Sequence, residues 1–136
     1  FKTILGIDAD FDKFNVTLNN TVFGPTKFHN ADLSDTQNLE VVFKTKTLTD
    51  LAINYQLDKN LTLAFNVNNM FNVTPSWKLQ AVNDVAKGQA IINDPAKLKN
   101  EWQNLTFNGR YAMVTYDGSH FSQLGRMYQV SLNYRF

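Results

Sequence analysis

The residues with chemical capacity gather in two places. Trp77, Trp102, Tyr111, Tyr116, His120 and Phe121 all fall between residues 70 and 124. Aromatic rings of this kind can stack on a sugar or an aromatic chelator. They also pack loops and anchor chains at a membrane interface, which is the plainer reading. Asn68, Asn69 and Asn72 form the second group. Amides so placed can contact a ligand. They can equally turn the chain, because Asn hydrogen-bonds its own backbone and tolerates left-handed conformations. His29 and His120 are the only histidines, too few and too far apart for a metal centre. There is no Cys, which excludes disulfides, thiolate ligands and cysteine nucleophiles. No Gly-x-Ser-x-Gly, His-Glu-x-x-His or phosphate-loop pattern occurs, and no spacing pairs the carboxylates, so no catalytic residue, metal or cofactor is expected. Asn-x-Thr triplets at Asn15, Asn19, Asn60, Asn72 and Asn104 reflect abundant Asn and Thr rather than glycosylation.

Any such site needs elements to hold it, and the sequence marks those elements by alternation. The last nine residues, Tyr128 to Phe136, place Tyr128, Val130, Leu132, Tyr134 and Phe136 on one parity and polar residues on the other. Successive strand side chains point to opposite faces, so this is a strand with one apolar and one wet face. The pattern recurs in residues 3–11 (Leu5, Ile7, Ala9, Phe11) and 14–22 (Phe14, Val16, Leu18, Val22). It recurs again in 49–57 (Leu51, Ile53, Tyr55, Leu57) and 61–67 (Leu61, Leu63, Phe65, Val67). Val41 and Phe43 keep the parity of the third run, which extends that strand back to Leu39. The expected strands are about 1–11, 14–23, 39–57, 60–69 and 125–136.

The apolar faces carry no charge. The opposite faces hold Asp8, Asp10, Asp50, Arg135 and many Asn, Thr and Gln. A soluble half-buried sheet alternates in the same way, so period alone leaves both readings open. The amide-rich wet face, the terminal Phe and the connections favour a membrane barrel. Two connections are tight, at 12–13 and 58–60. Two are long, at about 24–38 and 70–124. Outer-membrane barrels have short periplasmic turns and long outer loops, and a periplasmic C-terminus assigns all four correctly. The long loop is expected to hold short helices. Asp94-Pro95 reads as an N-cap followed by Pro at the first helical position, leading through Trp102. Residues 77–87 are expected to add a helical turn or two, and Leu105 to Tyr116 a hairpin or an upward extension of strand structure, ended by Asp117-Gly118.

Bulk properties agree. The chain has 136 residues, 43% hydrophobic and 18% charged, which suits a globular or barrel protein rather than disorder. A net charge of +1 argues against a nucleic-acid surface. No run of 18 apolar residues occurs, so no membrane helix is expected. The sequence opens on Phe1, as expected of a processed product or a piece of something longer. Five strands cannot close where the smallest bacterial membrane barrels have eight, so the expectation is a fragment of a larger barrel.

Specific pieces then become recognisable. Leu48-Thr49-Asp50-Leu51-Ala52-Ile53-Asn54-Tyr55 precedes a tight turn. Leu61-Thr62-Leu63-Ala64-Phe65-Asn66-Val67-Asn68-Asn69-Met70-Phe71-Asn72-Val73-Thr74-Pro75 follows it, and Gly125-Arg126-Met127-Tyr128 opens the terminal strand. In order and spacing these resemble the last strands of TonB-dependent outer-membrane receptors, with Met70 where that family usually has Leu. The resemblance implies an all-β fold of antiparallel transmembrane β-barrel strands, about the last five of a 22-stranded barrel. It also implies location in the bacterial outer membrane, with energised uptake of a scarce nutrient such as an iron-siderophore, cobalamin or a glycan. The implied partners are outer-membrane lipid, the remaining barrel and plug domain of the same receptor, the TonB complex, and a small nutrient ligand. Tyr128, Val130, Leu132, Tyr134 and Phe136 resemble the signal strand read by the barrel-assembly machinery. Asn68 and Asn69 at the strand top, with Trp77, Trp102, Tyr116 and His120 in the long outer loop, are the ligand-contact candidates. Two other classes stay open: a soluble lipocalin-like barrel around a small ligand, and an outer-membrane adhesin without transport.

Overall fold

Tight polar turns between alternating runs favour hairpins, because they let neighbouring strands pair at once. The computed structural model describes residues 1–29, 37–105 and 124–136. It divides into two compact units, Phe1–Gly24 with Thr45–Thr74 and His120–Phe136, and Pro25–Lys44 with Pro75–Ser119.

The first unit is an antiparallel five-stranded sheet of β1 (Lys2–Phe11), β2 (Phe14–Phe23), β5 (Lys46–Asp58), β6 (Leu61–Asn68) and β8 (Met127–Tyr134), in the order β1-β2-β5-β6-β8. Asp12-Lys13 closes the first hairpin, with Asp12 at φ 40 and Phe11 paired to Phe14. Lys59-Asn60 closes the second, where Asp58 pairs with Leu61 and a register shift falls between Gln56 and Asp58. The Asp58 carboxylate accepts the Lys59 N–H at 2.7 Å and tightens that turn. Among the described residues the sheet does not close into a barrel, and β1 and β8 are its two edges.

The second unit has its own sheet, β3 (Thr26–His29), β4 (Leu39–Phe43) and β7 (Trp77–Ala81) in the order β3-β4-β7, with helices α1 (Val85–Ile92) and α2 (Pro95–Leu105). Leu39, Val41 and Phe43 of β4 are buried with Ile91 and Leu105, and Trp77, Leu79, Ile92, Leu98 and Trp102 pack around them. Helix α2 starts where the sequence signals it. The Asp94 carboxylate accepts the N–H groups of Ala96 at 3.0 Å and Lys97 at 3.3 Å. Such capping satisfies donors that a helix start leaves unpaired.

Three expectations are corrected here. Residues 39–57 are not one strand: β4 pairs with β3 and β7, whereas β5 pairs with β2 and β6. Val41 and Phe43 share the odd parity of Leu51 through Leu57 across three intervening threonines, and shared parity cannot register a change of partner. Residues 77–81 are strand rather than helix, because β4 offers them a paired edge; α1 begins only at Val85, capped by Asp84. The segments 24–38 and 70–124, expected as loops with short helices in the second, also supply the strands β3 and β7, and together with the helices these join a unit with its own core. The hairpin or strand extension expected from Leu105 to Tyr116 lies outside the described residues beyond Leu105, which itself ends α2.

Candidate functional site

Register converts alternation on single strands into rows across the five-stranded sheet. One row is Ile7–Leu18–Leu51–Val67–Tyr128. The next is Ala9–Val16–Ile53–Phe65–Val130, and a third is Phe11–Phe14–Tyr55–Leu63–Leu132. Together they form an apolar band without a charged residue, extended by Leu61 opposite Tyr134. Cross-strand ring pairs stiffen it: Phe14 stacks on Tyr55 at 4.4 Å between centroids, and Phe65 faces Tyr128 at 6.4 Å. The band is not a dry interior. Leu5 is 64% exposed, Ile7 57%, Val130 67% and Leu132 63%, while the central Leu51 and Leu63 are half-buried.

The other face is polar at the same height. Its rows run Asp8–Thr17–Ala52–Asn66–Gln129 and Asp10–Asn15–Asn54–Ala64–Ser131. Thr17 donates its hydroxyl to Asp8 at 2.6 Å, Asn15 its amide to Asp10 at 2.7 Å, and Asn54 its amide to Asn15 at 3.2 Å. Toward the tight turns this side opens into a concavity of about 890 Å³, lined by Asp10, Lys13, Asn54, Lys59, Asn133 and Arg135 among others. Its chemistry is that of a hydrated, hydrogen-bonding wall of mixed charge. Among the described residues no group of three or more His, Cys, Asp or Glu could hold a metal ion. No described helix is long and apolar enough to cross a membrane, which says nothing about strands.

The candidate residues are scattered by this geometry. Tyr128, Val130, Leu132 and Tyr134 lie on the exposed apolar face of β8, and Phe136, just past it, meets the Tyr134 ring edge-on at 5.0 Å. Trp77 and Trp102 sit 5.4 Å apart against the core of the second unit. Asn68 ends β6, exposed and paired with Met127. Asn69 is 4% exposed, and both atoms of its amide are bonded to the Val73 backbone. Tyr111, Tyr116, His120 and Phe121 lie outside the described residues, and His29 is half-buried on β3. Two participants were named from the sequence only as parts of its strand motifs, not as site residues. Asp50 accepts the Asn69 N–H at 2.7 Å, and Gly125 lies against the Asn72 side chain. The Thr-Asp-Leu and Asn-Asn-Met-Phe-Asn pieces contain Asp50 and Asn69, but only pairing brings them together.

No protein-family model, curated protein or solved structure matches the chain.

Proposed function

We propose that the chain is part of a TonB-dependent receptor of the bacterial outer membrane, contributing barrel strands to the energised uptake of a scarce nutrient. The carrying observation is the uncharged apolar band across all five strands of a sheet whose opposite face, at the same height, carries carboxylates, amides and hydroxyls with alanine between them. A soluble monomer rarely exposes a contiguous apolar patch beyond a few hundred Å². Hydrocarbon on one side and a hydrated lumen on the other match both faces at once.

The sheet edges support the same reading. Every neighbouring pair is antiparallel, so β1 and β8 run in the same direction. Joining β8 to β1, or to β1 of an identical copy inserted in the same sense, would create a parallel seam. An all-antiparallel barrel therefore needs an odd number of further strands from elsewhere in the receptor. The uptake part of the proposal rests on the resemblance of residues 48–55, 61–75 and 125–136 to the receptor family. It brings with it a plug domain, TonB, a small nutrient (iron-siderophore, cobalamin or glycan), and recognition of Tyr128 through Phe136 by the barrel-assembly machinery. The second unit joins two connections that this reading places outside the cell.

Two measurements test it. Fractionation of the bacterium that makes the protein is expected to recover it in the outer membrane, resistant to extraction by urea. Disrupting its gene is expected to abolish proton-motive-force-dependent accumulation of one labelled nutrient among the three classes. A folded, monodisperse protein in plain buffer without detergent would refute the membrane assignment. Outer-membrane location with every uptake rate unchanged would refute transport and leave a structural or adhesive barrel.

A further inference from the structure

Hydrophobic patterning cannot by itself set the register of β8. Its apolar residues, Tyr128, Val130, Leu132 and Tyr134, repeat every second position. A slip of one residue would turn them to the wrong face, but a slip of two leaves the apolar face apolar. Short hairpin loops normally remove that ambiguity. Here β6 ends at Asn68 and β8 begins at Met127, so no tight turn links them. Something else must hold the strand at Phe65 opposite Val130.

A chain of hydrogen bonds at the far end of the sheet meets that need. The Asn69 N–H donates to the Asp50 carboxylate at 2.7 Å, and the Met70 N–H donates to the Thr49 carbonyl at 2.7 Å, which ties the turn to β5. The Asn69 amide then grips one residue twice, donating to the Val73 carbonyl at 2.6 Å and accepting the Val73 N–H at 2.8 Å. Asn69 and Asn72 have φ of 55 and 56, a left-handed conformation that Asn accepts more readily than most residues. That turn presents the Asn72 side-chain oxygen to the Arg126 N–H, 54 residues away in sequence, at 3.0 Å. Gly125 makes the approach possible: its φ is +80, and a Cβ there would run into the Asn72 oxygen.

We propose that the Asn69–Asn72 turn is a register clamp, which carries the position of β5 across the end of β6 to the residue preceding β8. The Asp50 carboxylate and Asn69 amide fix the turn, and the Asn72 oxygen reads the backbone at Arg126 beside Gly125. A two-residue slip would carry Gly125 away from Asn72 and put a side chain in its place. The inference depends on pairing alone and holds whichever solvent the apolar face meets.

Register can be read with disulfides, because the chain has no Cys of its own. Directly opposed strand residues lie close enough to cross-link, whereas diagonal neighbours are separated by about 7–8 Å. Phe65→Cys with Val130→Cys reports the native register, and Phe65→Cys with Tyr128→Cys or with Leu132→Cys reports slips of two in either direction. Val16→Cys with Ile53→Cys reports the rest of the sheet through a pair distant from the clamp. Asn72→Gly keeps the left-handed turn but loses the acceptor; Asn72→Asp keeps both. Each is measured in the full chain, in detergent or lipid. Asn72→Gly is expected to move at least about half of the native cross-link into the slipped pairs with the control unchanged, and Asn72→Asp to leave the native pattern. Equal behaviour of the two variants, or a native cross-link undiminished in Asn72→Gly, overturns the clamp. Loss of the Val16–Ile53 bond in Asn72→Gly also overturns it, since the turn would then serve the whole sheet rather than the register of β8.

Discussion

Val130 and Gln129 are adjacent, both exposed, and on opposite faces of β8. That makes them a sharp test of what the apolar band meets. Val130 lies in the middle row of the band, opposite Phe65, whereas Gln129 lies in a polar row opposite Asn66. If the band meets hydrocarbon, Val130→Arg places a cation near the midplane at a cost of about 2–4 kcal/mol. Losing the Val130–Phe65 contact adds up to about 1 kcal/mol. At about 1.4 kcal/mol per factor of ten, the first cost alone shifts the folding equilibrium roughly 30- to 700-fold. Gln129→Arg, on the wet face, is expected to stay within about 0.5 kcal/mol of the parent. The assay is urea unfolding of the protein folded into phospholipid vesicles, read as the shift in midpoint at constant slope. A Val130→Arg effect no larger than that of Gln129→Arg would mean that both faces meet water, and the membrane assignment would fall with it.

Two further predictions concern the second unit, where both of the chain's tryptophans lie, so Trp fluorescence reports on it selectively. Gly88→Ala should raise helix propensity by about 1 kcal/mol. It also drives a methyl into the Asn38 carbonyl and to 2.8 Å from the Ala81 Cβ, overpacking of the kind that costs about 1–3 kcal/mol. The expected result is a lower melting temperature of the Trp signal, and a higher one would refute the close packing of α1 on β7. Asp84, the N-cap of α1, has its carboxyl held below the ordinary 3.8, chiefly because it accepts the Lys87 backbone N–H. A depressed native pKa stabilises fully above 3.8, and that contribution is lost as pH falls through the native value. Asp84→Asn keeps an acceptor but cannot titrate there, so the parent is expected to lose stability relative to it only in acid below 3.8. A difference that instead grew toward neutral pH would contradict the capping role.

Local chemistry was legible where one residue type can do only one thing cheaply. Asp94-Pro95 announced a helix start because a carboxylate cap and a fixed Pro φ both suit that place. The β1–β2 and β5–β6 hairpins were legible because their turns are two residues long and polar between alternating runs. Segment 77–81 was not, since five residues with Trp77, Leu79 and Ala81 inward take whichever conformation a neighbour supports, and β4 supports a strand. The asparagines were legible as turn formers but not as a link between strands, because the Asn72–Arg126 contact joins residues 54 apart.

Alternation and the absence of charge on one parity determined, from the sequence alone, that five strands would each have an apolar and a polar face. They did so because strand side chains alternate whatever the partner. Tertiary structure decided everything that depends on pairing: that β4 leaves the run it shares with β5, that segments 25–44 and 75–105 share one hydrophobic core, and that Asn72 meets Gly125. A period of two states which way a side chain points and nothing about which strand lies alongside. Choice of partner is settled by long-range burial and by single hydrogen bonds that leave no periodic trace in the chain.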